Sequence, residues 1–135
     1  MPIQITWYNE EENIQLIKFD GKWELVDYIK MYDESRAITS KITYPYVIIA
    51  DFTTSTSIPA KLLSAGDKMK EPEGTNLPLI TVMVGMGRLY EMMLNLITRV
   101  YPTAVNNAKL VSTWEEGLAL AHDTLAKANP SGYRD

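Results

Sequence analysis

The chain has no cysteine and a single histidine among its 135 residues. Disulfides, cysteine nucleophiles, iron–sulfur ligation and zinc fingers are thereby excluded. Positive charge is also scarce: 13 Lys and Arg stand against 17 Asp and Glu, a net charge of −4 with no basic run. Neutralising phosphates supplies most of the affinity for nucleic acid, so none is expected as a partner. No stretch approaches the ~18 uninterrupted apolar residues of a membrane span. The first residues, Met1-Pro2-Ile3-Gln4-Ile5-Thr6, carry no charged leader before an apolar run, so no signal peptide is read there and the expected compartment is the cytoplasm. Repeats, low-complexity tracts, metal-ligand spacings and catalytic motifs are missing too. No cofactor and no metal are expected, and the chain is not expected to be an enzyme. Its length fits one domain of the usual ~100–200 residues. That domain is placed at 1–128, with 129–135, rich in turn formers, as a flexible tail.

What is present is a pattern of strands and helices. Ile3, Ile5 and Trp7 alternate with Gln4, Thr6 and Tyr8, the period of a half-buried strand. An acidic turn at 9–13 and a β-rich run at 14–19 ending in Asp20-Gly21 complete an expected antiparallel hairpin. Leu25, Val26, Ile29 and Tyr32 then fall at helical spacing over 24–38. The apolar runs 46–52 and 79–84 lack alternation, as strands buried on both faces do. Between them lie a hydroxyl-rich loop, Thr53-Thr54-Ser55-Thr56-Ser57, and a helix opened by Pro59. The most apolar helix is expected over 89–101, stopped by Pro102. A short strand at 108–112 leads into Thr113-Trp114-Glu115-Glu116, which has the form of a capping box, and a last helix. The expected fold class is α/β: a mixed, mostly parallel sheet of about five strands with four helices, in the order β-β-α-β-α-β-α-β-α.

Three segments carry a likeness to a known family. They are Asp20-Gly21-Lys22-Trp23 leading from the hairpin into a helix, the buried strand 47–52 with its hydroxyl loop and the helix opening Ile58-Pro59-Ala60-Lys61-Leu62-Leu63, and the closing unit Leu110-Val111-Ser112-Thr113-Trp114-Glu115-Glu116-Gly117-Leu118-Ala119. With the element order, they resemble the STAS domain of anti-sigma factor antagonists, over residues 5–127 and mostly as topology. The resemblance implies a regulatory interaction module in which a serine at the start of the helix after the third strand is phosphorylated, usually within Asp-Ser-Ser-Gly. Here Ser57 falls on the phosphoacceptor position. Ser55 replaces the acid and Ile58 the glycine. A phosphate there would sit at a helix N-terminus, where free amides favour an anion. The competing role for Ser57 or Thr56 is that of a helix N-cap.

Other candidates stand on the residues alone. Asp51 ends a buried strand, the place where open α/β sheets bind ligands. Gly85-Met86-Gly87-Arg88 joins a strand to a helix, so Gly85, Gly87 and Arg88 are candidates for holding an anion; the third glycine of a dinucleotide fingerprint is missing. His122 reads as a boundary residue of the last helix. The helix at 89–101 has a wider apolar arc than one buried face needs. Met86, Tyr90, Met92, Leu94 and Tyr101 are therefore read as an interface with a second copy or another protein. The alternative function is a small-ligand or lipid-binding domain, with an apolar pocket beneath that helix.

Overall fold

A computed structural model describes residues 2–57, 77–87 and 108–128. The elements run β1 (Ile3–Trp7), β2 (Ile14–Gly21), α1 (Leu25–Thr39), β3 (Val47–Ser55), β4 (Thr81–Val84), β5 (Ala108–Val111) and α2 (Trp114–Ala128). The strands form one five-stranded sheet in the order β1-β2-β3-β4-β5. β1 is antiparallel to β2, with Ile5 opposite Ile17; every later pair is parallel. The α/β class and the mixed five-stranded sheet therefore stand. Of the four expected helices the described residues contain two, in the order β-β-α-β-β-β-α, so the expected element order is not matched there. The helices expected at 59–69 and 89–101, and the tail at 129–135, lie outside the described residues.

The sheet is buried on both sides, which explains the unbroken apolar run in β3. Ile48, Ala50 and Phe52 join Ile17, Phe19 and Met83 in a cluster with Trp23 and with Met31 of α1. Val47 and Ile49 project the other way, to Ile14, Val82, Val84 and Ala121 of α2. Alternate residues of one strand thus feed two cores, so neither face tolerates charge.

Local chemistry sets the helix ends. At the start of α1 the Glu24 amide donates to Asp27 Oδ2 at 2.8 Å. At the start of α2 the Glu116 amide donates to Thr113 Oγ1 at 3.2 Å, and that hydroxyl donates to Glu116 Oε1 at 3.0 Å. Thr113 thus acts as the expected N-cap of α2, with Glu116 held against its hydroxyl. Gly117 lets α2 lie close on the sheet: a Cβ there would stand 2.9 Å from Val84 Cγ2 and 3.3 Å from Val111 Cγ2. Among the described residues no helix is long and apolar enough to cross a membrane.

Candidate functional site: the carboxyl end of β3

β3 outlasts its neighbour β4. Their register ends at Asp51 opposite Val84, while β2 follows β3 to Gly21 opposite Ser55. The last four residues of β3, Phe52 to Ser55, therefore project past β4. The Thr53–Ser57 segment expected as a loop is strand as far as Ser55. The ladder to β2 continues past it, with the Thr56 amide donating to Gly21 O at 2.9 Å. Threonine's β-branch suits that pleat.

This extension is bulged. Between Lys18 opposite Asp51 and Asp20 opposite Thr54, β2 advances two residues and β3 three. An extra residue leaves a backbone group off the ladder. Asp51 takes it up: its Oδ1 accepts from the Thr53 amide at 2.9 Å and from Thr53 Oγ1 at 2.7 Å. Gly85 lies against the same bulge. Its φ is +72°, and a Cβ would stand 2.5 Å from Thr53 Cγ2 and 3.2 Å from Thr53 Cα. Both the backbone angle and the space demand glycine there. The Gly85 amide donates to Val111 O at 3.0 Å, so that donor is spent on the sheet. Gly87 has φ +51°, and none of the described residues comes within 4 Å of its Cβ position.

Beneath the extension lies an aromatic stack. Phe19 and Phe52 stack with centroids 4.3 Å apart, and Trp23 meets Phe19 at 5.0 Å. Trp23 is almost fully buried, so its indole N–H needs a partner. It donates to Ser55 Oγ at 2.9 Å, and Ser55 Oγ donates to Ser57 O at 3.3 Å. Sequence reasoning placed Trp23 only as an element boundary. The signal for its role was a buried indole beside a hydroxyl-rich segment, two parts separated by 32 positions.

The structure thus brings Asp51, Thr53, Ser55, Ser57 and Gly85 to one end of the sheet. Thr53, Thr54 and Thr56 are exposed there; Ser55 and Ser57 are half-buried. The Thr54 hydroxyl donates to Phe19 O at 3.3 Å. Met86, expected at an interface, is instead buried in the α1-side core, 4 % exposed. It follows the left-handed Gly85, and that turn sends its side chain under the sheet. Arg88, Tyr90, Met92, Leu94 and Tyr101, and the pocket expected beneath 89–101, lie outside the described residues. His122 is exposed on α2. Among the described residues no hydrogen bond or ion pair joins it to Asp51, and no three His, Cys, Asp or Glu gather in a metal-binding group. Compared with known proteins, the chain matches no family model, and no curated sequence matches it at a significant level.

Proposed function

We propose that the chain is a non-enzymatic, STAS-like regulatory module that offers the hydroxyl-bearing end of β3 to a protein partner. Phosphorylation of Ser57 controls that contact. The observation that supports this most is the stiff, exposed extension of β3. Its backbone is tied to β2 through Thr56, its bulge is closed by Asp51, and its underside is clamped by Trp23. Such a segment presents Thr53, Thr54 and Thr56 in one conformation, so little ordering entropy opposes docking. Ser55 is occupied as the acceptor for Trp23, which leaves Ser57 as the position for the phosphate. A phosphoserine adds a charge of about −1.5 to −2 beside neutral hydroxyls and changes which surfaces can dock.

The test is mass spectrometry of the peptide 42–61 from chain isolated out of its own cells, with affinity capture by wild type and by Ser57→Asp. The expected result is phosphate on Ser57 and a partner that distinguishes the two baits. An unmodified Ser57 together with identical captured proteins refutes the reading.

A further inference from the structure

Among the described residues the two edges of the sheet, β1 and β5, are unlike. β5, at one edge, is four residues long and carries the exposed Lys109. A short strand with a lysine is a usual protection against edge-to-edge pairing. β1, at the other edge, reads Ile-Gln-Ile-Thr-Trp, without a charge over its five residues.

The register shows which backbone groups of β1 face outward. The Tyr8 amide donates to Ile14 O, and Pro2 O accepts from the Asp20 amide, both at 2.8 Å across the β1–β2 ladder. Even-numbered residues of β1 therefore turn their amides and carbonyls toward β2. In an antiparallel ladder such groups alternate in direction. Ile3, Ile5 and Trp7 therefore turn theirs away from the sheet. Pro2, which has no N–H, sits at an inward-facing position and removes nothing from the outer edge.

We infer that β1 pairs antiparallel with β1 of a second copy about a two-fold axis at Ile5, extending the sheet across the dimer. With that axis Ile5 faces the partner's Ile5, and Ile3 faces the partner's Trp7. These are the hydrogen-bonded positions, so every outward amide of Ile3, Ile5 and Trp7 meets an outward carbonyl. The side chains match as well. Ile3, Ile5 and Trp7 share the α1 side of the sheet, opposite Phe19, Ile17 and Gln15, and meet apolar partners there. Gln4, exposed on the other side, meets the equally exposed Thr6 of the partner. No charge opposes its own kind, and the acidic turn at 10–12 lies outside the five paired positions. Beside this edge is a shallow dent lined by Pro2, Ile3, Asp27, Lys30, Met31 and Glu34. Its rim carries both signs, as a surface that meets its own copy needs. This surface is separate from the hydroxyl segment, which lies on β3, two strands away.

Sedimentation velocity over a concentration series of the full chain tests the pairing. Gln4→Glu with Thr6→Glu sets glutamates against glutamates twice across the axis and is expected to weaken the dimer roughly tenfold or more. Gln4→Glu with Thr6→Lys sets opposite charges in the same places and is expected to keep it. Both pairs of substitutions are on exposed side chains, and circular dichroism checks the fold. Amide exchange supplies a second readout: the Ile3, Ile5 and Trp7 amides are expected to be protected at dimer-forming concentration and to exchange fast in the Glu/Glu variant. A chain that stays monomeric overturns the inference. So does a dimer indifferent to the Glu/Glu pair, or one in which those three amides exchange fast.

Discussion

Replacing Gly85 with alanine tests the construction of the β3 extension. Two separate effects add at this position. An L residue at φ +72° costs about 1–2 kcal/mol, because its Cβ crowds the following carbonyl. The new Cβ also falls 2.5 Å from Thr53 Cγ2, an overlap of the kind that costs about 1–3 kcal/mol to relieve. Gly85→Ala is therefore expected to lose about 2–5 kcal/mol, a large share of the ~5–15 kcal/mol that holds a domain together. Thr53→Ser removes the offending methyl and keeps the hydroxyl that donates to Asp51. Alone it is expected to cost under about 0.5 kcal/mol. In the double variant the methyl overlap is relieved and the backbone cost remains, which gives a coupling of about 1–3 kcal/mol. Gly87→Ala is the internal control. Its φ is +51° and none of the described residues lies within 4 Å of its Cβ position, so it is expected to show only the backbone cost of about 1–2 kcal/mol. Urea unfolding followed by far-ultraviolet circular dichroism supplies the four corners of the cycle and the control. The reasoning fails if Gly85→Ala costs no more than Gly87→Ala. It fails equally if the effects of Gly85→Ala and Thr53→Ser add within about 0.5 kcal/mol.

Three further outcomes are expected. Gly117→Ala gains about 1 kcal/mol of helix propensity but sets a methyl 2.9 Å from Val84 Cγ2; since overpacking costs about 1–3 kcal/mol, thermal melts are expected to show a net loss of stability. Gln15 is buried, with its Oε1 bonded to Ser35 Oγ at 2.6 Å and its Nε2 without a partner among the described residues. Ser35→Ala alone is expected to cost about 1–3 kcal/mol, while Gln15→Met with Ser35→Ala is expected to match or exceed wild type in urea unfolding. Thr113→Ala removes the hydroxyl that caps α2 and is expected to cost about 1 kcal/mol, with faster amide exchange in the first turn of that helix.

Features that depend on neighbours along the chain are legible in the sequence. Alternation at Ile3, Ile5 and Trp7 and the unbroken run at 47–52 each report a local period or a local burial; Asp20-Gly21, expected as a turn, instead forms the last two residues of β2, opposite Thr54 and Ser55. The Thr113–Glu116 cap is a relation among four adjacent residues. These signals locate all five strands and both described helices to within a few residues. The hydroxyl run at 53–57 misleads, because serines and threonines side by side are as common in turns as in strands. What decides it is whether a partner strand runs alongside, and β2 does as far as Gly21. Met86 misleads for a related reason: a methionine after a glycine carries no sign of the face it will occupy.

The sequence by itself determined the α/β class, the double-sided burial of β3, the Thr113 cap of α2, and the lack of thiol and basic chemistry. All follow from composition and short-range pattern. Only the tertiary structure decided that Gly85 lies against Thr53, that Trp23 reaches Ser55, that Asp51 closes a bulge, and that uncharged β1 stands at an edge. Each of these depends on which strands are neighbours and in what register. Register is fixed by the simultaneous packing of both sheet faces, a condition that no single segment of the chain contains.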